Sequence, residues 1–335
     1  MALHSTAVCT PLILFIVSFP LDGFEKFGAL AHTRNLRVVI WNRRDYTGST
    51  KYTDSEMDDL KNGKKVSLER WGIQLAEFMR QFIEKENIPA ITADRRAGGI
   101  AVMGWSLGII MAMPLLSDAQ LISPELSALL GSYFKDIILH GMYAQLANSA
   151  SHGILSDPPY LSFGYQTPEY TNQFNRLKDP NQTAEDYFKT FSNMISGYYT
   201  HSNISESGIA EELSYQPAID KPSTTSLWTP EQFAKYCEPG AMRSELPMLI
   251  QPMQNTINEV ATRAFFDENV AQTCFPNLRI SYLSCTRSTW RQLFGMQETK
   301  RLYKKCLEEG KKIRKITFFS LEGCNHFVST QAWPR

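Results

Sequence analysis

The chain alternates between short, nearly continuous apolar runs and longer segments in which apolar residues return every three or four positions. The runs are PLILFIVS (11–18), LRVVIW (36–41), GIAVMGW (99–105), KDIILH (135–140), RISYLS (279–284) and KITFFSL (315–321). Their length and their β-branched and aromatic content predict strands covered on both faces, as in a parallel sheet. Between the second and third runs, SLERWGIQLAEFMRQFIEKEN predicts an amphipathic helix. Leu68, Trp71, Leu75, Phe78, Met79, Phe82 and Ile83 share one face, Ser67 is the expected N-cap, and Pro89 lies just past the end. A helix is expected over LGIIMAMPLL after the third run, and another over 289–309, closed by Gly310. Strand, helix, strand, repeated, predicts the α/β class: a mostly parallel open sheet with helices on both faces.

From about residue 160 to 245 that rhythm stops. The region is rich in Tyr, Phe, Asn, Ser and Pro, and TAEDYFKTFSNMIS, SGIAEELSYQ and TPEQFAKYC read as helices joined by loops. An inserted helical cap over 161–245 is expected, on a core formed by 1–160 and 246–335; a separate small domain is the alternative. The aromatic residues of the region (Tyr160, Phe163, Tyr165, Tyr170, Phe174, Tyr187, Phe188, Tyr198, Tyr199) would suit a hydrophobic ligand, although packing within the cap is the plainer use for them.

The first run also resembles the apolar stretch of a secretory signal. No Lys or Arg precedes it, and it is far shorter than the roughly 20 apolar residues of a membrane span. A buried strand, and hence a cytoplasmic rather than a secreted protein, is the expectation. The 34 acidic and 34 basic residues cancel, which removes any electrostatic case for nucleic acid or an anionic membrane as partner. The six cysteines are scattered and none stands in a C-x-x-C pair, so reduced thiols are expected and no zinc or redox motif is written. With no metal-ligand spacing and no nucleotide loop, no cofactor is expected and a small-molecule substrate is. Oligomeric state is not legible.

The stretch Gly104-Trp-Ser-Leu-Gly108 stands between a predicted strand and a predicted helix. A serine at such a turn is lifted to the carboxyl end of the sheet, where parallel sheets place their sites, and glycines beside it let the backbone bend sharply. Ser106 is therefore a candidate nucleophile and the N–H of Leu107 a candidate oxyanion donor. A serine hydroxyl needs a base within reach. His326, in EGCNHF just after the last predicted strand, is the candidate; His140 is its rival.

With LRVVIWNRRDYTGST, VMGWSLG, DIILH, RISYLSC and EGCNHF in this order, the chain from about residue 11 to 330 resembles the α/β-hydrolase fold family, and within it fungal members. The resemblance implies a Ser–His–acid hydrolase with a helical cap. Serine at the elbow, instead of aspartate, argues against epoxide-hydrolase or dehalogenase chemistry.

Three places depart from the family pattern. The usual His-Gly after the first of these strands is replaced by Val17-Ser18, which leaves the amide of Phe19 as the candidate second oxyanion donor. After RISYLS, where the family offers an acid, the chain reads CTRSTW, with Thr286 and Ser288 at the expected positions. Asp157, after the preceding strand, becomes the candidate acid, with Glu322 and Asp267 as weaker alternatives and a turn ahead of Pro158-Pro159 as its structural use. Finally, residues 141–156 read as an insertion between DIILH and DPPYLSFGY. These departures motivate the second functional reading, a non-catalytic relative that keeps the fold as a binding protein.

Overall fold

The structure, a computed structural model, describes residues 12–16, 36–95, 97–139, 157–169, 184–202 and 213–327; in 12–16, 135–139, 184–189 and 239 it describes the backbone alone. The six apolar runs form β1 (Leu12–Ile16), β2 (Arg37–Trp41), β3 (Ile100–Gly104), β4 (Phe134–Leu139), β5 (Arg279–Cys285) and β6 (Ile316–Leu321). They make one sheet in the order β2-β1-β3-β4-β5-β6, and every neighbouring pair is parallel. The first apolar run is thus an inner strand, with Leu12 level with Arg37 on one side and Ile100 on the other. Because all strands run one way, the loops that follow β3, β5 and β6 leave from the same edge of the sheet, which is where ligands meet such folds.

The pleat sorts the strand side chains. Ile100, Val102, Ile280, Tyr282 and Ile316 join the larger core cluster, whereas Ala101, Met103, Leu283, Cys285 and Leu321 join a second one. That is the period of two expected when successive residues point to opposite faces. The helices are α1 (Asp54–Lys61), α2 (Lys65–Glu86), α3 (Met113–Ser117), α4 (Pro124–Gly131), α5 (Ala184–Ile195), α6 (Pro230–Tyr236), α7 (Met242–Glu245), α8 (Met253–Phe266), α9 (Glu268–Thr273) and α10 (Trp290–Glu308). Leu68, Trp71 and Leu75 of α2, Leu115 of α3, Ile257 and Phe265 of α8 and Leu293 of α10 all pack into the larger cluster. On the opposite face Ile195 and Phe191 of α5, with Trp228, close over Trp105 and Phe327. Phe163 stacks on Tyr165 at 5.1 Å and on Tyr282 at 6.0 Å, and Tyr160 on Trp290 at 5.4 Å, so these three aromatic residues serve the core.

Local details differ from the sequence expectations for identifiable reasons. Helix α2 starts at Lys65, and Ser67 lies buried inside it instead of capping it. An unforeseen helix precedes it: α1 is capped by Thr53 and Glu56 in a reciprocal box, and Gly63 at φ +66° turns the chain directly into α2. The capping signal Thr53-x-x-Glu56 was present in the sequence. After Ser106 the chain forms a 3-10 helix, Ser106–Met111, before α3 begins, and Pro114 at the start of α3 lacks the N–H that one continuous helix would use. Thr289 caps α10 and Gly310, at φ +75°, follows its end. Residues 213–216 are not helical, and 141–156 and 203–212 lie outside the described residues.

Two buried cations fix the framework. Arg314 ends the loop before β6 with its guanidinium donating to the carbonyls of Leu116, Ala264, Val270, Cys274 and Phe275. It gathers the ends of α3, α8 and α9, whose last carbonyls have no intrahelical donor. Arg43, in the NRRDY loop after β2, meets Glu245 at 2.8 Å, and Tyr46 Oη donates to the same carboxylate oxygen at 2.6 Å. Burying a charge is costly unless its groups are satisfied; Arg43 is paired with a carboxylate, and Arg314 is hydrogen-bonded to backbone carbonyls.

Candidate active site

Gly104 ends β3 and Ser106 opens the 3-10 helix, so the serine sits on the strand-to-helix bend. Its φ is +56°, a left-handed conformation that a residue with a Cβ adopts only when its surroundings enforce it. Part of that enforcement is visible. A Cβ on Gly104 would lie 2.7 Å from Ile109 Cα, so only glycine lets the returning helix pass this close. Ser162 Oγ donates to the Ser106 carbonyl at 3.2 Å, holding the strained peptide from the segment that follows Asp157. The N–H of Leu107 lies in the first turn of the 3-10 helix, where amides have no intrahelical acceptor. Phe19 lies outside the described residues.

His326 and Asp157 are brought together. His326 Nδ1 donates to Asp157 Oδ2 at 3.0 Å, and both side chains are 1% exposed. Since a carboxylate can only accept, Nδ1–H is the donor in this pair, which leaves Nε2 as the ring nitrogen turned away from Asp157. Asp157 is at φ +44°, and its N–H is bonded to Leu283 O at 2.5 Å, which anchors it beside β5. Its carboxylate accepts three further donors: Cys285 N–H at 3.0 Å and Ser284 Oγ at 3.2 Å on Oδ1, and Ser288 Oγ on Oδ2. The end of β5, where the family pattern placed an acid, therefore supplies donors to an acid that arrives from elsewhere. The weaker candidates are otherwise engaged. Asp267 caps α9 by accepting from Val270 N–H, and Glu322 is exposed and accepts from Thr286 Oγ1. His140 lies outside the described residues.

His326 Nε2 is buried and has no hydrogen-bond partner among the described residues, so Ser106 Oγ and Nε2 are not hydrogen-bonded in this state. The link between the serine loop and the histidine loop is Trp105. Its ring stacks on the imidazole at 4.7 Å between centroids and 21° between planes, and its Nε1 donates to the His326 carbonyl at 3.2 Å.

Residues that sequence reasoning passed over complete the surroundings. Asn325 Nδ2 donates to Ser196 O at 2.6 Å and Thr224 Oγ1 at 2.9 Å, while its Oδ1 accepts from Phe327 N–H at 3.0 Å. His326 is thereby flanked by a residue tied to the 196–225 region. His201 Nδ1 accepts from Ser214 N–H at 2.9 Å and its Nε2 donates to Ser288 O at 2.8 Å. Burial pushes the His201 imidazole below its ordinary pKa. A cavity of about 850 Å³ lies between α5, residues 215–223 and the start of α10. Met194, Tyr199, Tyr215 and Trp290 line it; neither Ser106 nor His326 does. Among the described residues no cluster of His, Cys, Asp and Glu could hold a metal ion, and no helix is long and apolar enough to cross a membrane.

No family model and no curated protein matches the sequence. Solved structures with a similar path of chain exist at low identity. A haloalkane dehalogenase loop variant from Bradyrhizobium elkanii is 10% identical over 96% of this chain and 84% of its own, with a TM-score of 0.47. An epoxide hydrolase from an endophytic Streptomyces is 12% identical over 93% of each chain, with a TM-score of 0.39. The thioesterase domain from the curacin biosynthetic pathway is 11% identical over 96% of this chain and 87% of its own, with a TM-score of 0.41.

Proposed function

We propose that the protein is a serine hydrolase acting on an ester-like bond of a small, hydrophobic substrate. The observation that carries this reading is the buried His326–Asp157 pair at 3.0 Å, joined through Trp105 to a serine at φ +56° on a strand-to-helix bend. In the proposed mechanism Ser106 Oγ attacks the substrate carbonyl carbon while Nε2 of His326 takes the hydroxyl proton. The Leu107 N–H stabilises the resulting oxyanion, with Phe19 N–H as the proposed second donor. The tetrahedral species collapses as His326 returns its proton to the leaving oxygen, which leaves an acyl group on Ser106. Water, deprotonated by the same Nε2, releases it. Asp157 keeps Nδ1 protonated and balances the imidazolium charge without itself taking the proton. The Ser106–His326 hydrogen bond forms in the substrate complex, as is common where the unliganded contact is long. Of the expected cap over 161–245, the part beyond Tyr165 acts as the cap over this site, since Phe163 and Tyr165 pack in the core, and no metal or cofactor takes part.

The alternative is a fold-retaining binding protein without chemistry, and the observation on its side is that His326 Nε2 has no hydrogen-bond partner among the described residues. A panel of p-nitrophenyl esters of increasing acyl length tests the proposal. Turnover that falls to background in Ser106→Ala, with circular dichroism unchanged, supports the enzyme. Equal residual turnover in both proteins supports the binding reading.

A further inference from the structure

We infer that Trp105 is a positioning residue for His326, using its indole face to fix the plane of the imidazole and to stabilise the imidazolium that forms when the base takes a proton. This inference rests on the serine-hydrolase reading above.

Three observations support it. First, the stack is close and nearly parallel, 4.7 Å between centroids and 21° between planes. Second, Nε1 of the same indole holds the His326 main chain at its carbonyl, so ring and backbone are fixed by one side chain. Third, Phe327 meets both rings edge-on, at 5.4 Å and 85° to Trp105 and at 5.9 Å and 75° to His326, which closes the cluster around the imidazole. The bond to Asp157 fixes the Nδ1 end of the ring but leaves rotation about that axis free. The stack removes this remaining freedom, and Nε2 can then be aimed only within the plane set by the indole.

The charge argument is separate from the geometric one. When the Ser106 proton moves to Nε2, the imidazole becomes a cation lying over the negative face of an indole, well inside the roughly 6 Å range of a cation–π interaction. Neutral imidazole gains less from the same face. The interaction is therefore stronger in the transition state than in the ground state, which is the requirement for it to raise kcat instead of only lowering KM.

The test compares Trp105→Phe, which keeps an aromatic face, with Trp105→Met, which fills space without one. Wild-type protein carrying fluorinated tryptophans adds a probe with an unchanged shape and a weakened face. The expected result is a kcat about tenfold lower in the Met variant with KM within about twofold, most of kcat regained in the Phe variant, and a graded fall with fluorination. The downfield proton resonance of His326 Nδ1–H should persist in Trp105→Phe and broaden in Trp105→Met. A Met variant with wild-type kcat and an unaltered resonance overturns the inference, as do equal losses in Phe and Met or indifference to fluorination. Should Trp105→Met fail to fold, the fluorination series decides. If the wild type shows no Ser106-dependent turnover, the hydrolase reading fails by itself, and the resonance alone then decides whether Trp105 orders the imidazole.

Discussion

The Ser288 hydroxyl donates to Oδ2 of Asp157, the same oxygen that receives Nδ1–H of His326. The carboxylate is thus gripped on Oδ1 by Ser284 and Cys285 at the end of β5 and on Oδ2 by Ser288 in the turn that follows, so its direction toward the histidine is set by residues that cannot themselves be the acid.

Replacing Asp157 with Asn keeps the shape but presents an amide to Nδ1, which favours the wrong tautomer. We expect kcat to fall by roughly 10⁴-fold with little change in KM. Ser288→Ala removes one donor and leaves three, so a loss of about tenfold is expected. Ester hydrolysis by the two variants, each confirmed folded, checks the order of the effects. A Ser288 variant as damaged as the Asp157 variant would contradict the division of roles.

Asn325 uses both N–H groups on the 196–225 region and its oxygen on Phe327, the residue after His326. Asn325→Asp replaces two donors by acceptors facing a carbonyl and a hydroxyl. Turnover should drop about tenfold and thermal stability should fall with it, since a buried group losing its partners costs about 1–3 kcal/mol. Calorimetry and ester kinetics on one preparation measure both.

Burial holds the His201 imidazole below its ordinary value, and the Ser214 N–H aimed at Nδ1 leaves no place for a second ring proton. The unfolded chain binds that proton at about pH 6.5. Between the folded and unfolded values the unfolded state carries more protons, so stability rises with pH. The contribution is complete above about pH 6.5 and is lost as the pH falls toward the folded value. Urea midpoints at pH 7.5 and 5.5 should therefore differ more in the wild type than in His201→Asn. An equal drop in both would show that other groups carry the acid sensitivity.

Much of this was legible in the sequence, because the informative signals are local. Continuous apolar runs located six strands within a few residues, and Gly104, Ser106 and His326 stood out by their places between elements. Asp157 could be suggested only from what was missing after β5; its partners Ser284, Cys285 and Ser288 lie more than 120 residues away in the chain. Trp105 gave no sign of its stack on His326, because a lone tryptophan beside a serine reads as core. The 3-10 start after Ser106 was hidden by an apolar sequence equally suited to an α-helix, and the early start of α2 by a preceding turn that periodicity does not register.

Arg314 joins three helix ends through carbonyls alone. Arg314→Met removes every one of these donors from a buried position, and a loss of about 3 kcal/mol is expected. Arg314→Lys, with a compact ammonium in place of the planar fork, should lie between it and the wild type. Urea unfolding with an unchanged slope checks this, since a shifted midpoint at constant slope reports stability alone.

The central claim is that Ser106 is a nucleophile activated by His326. Its most direct test is treatment of the folded protein with a fluorophosphonate, followed by mass spectrometry of the intact chain and its peptides. The account predicts one adduct, on Ser106, absent in Ser106→Ala and strongly slowed in His326→Ala. A well-folded wild-type protein that acquires no adduct at Ser106 would contradict it.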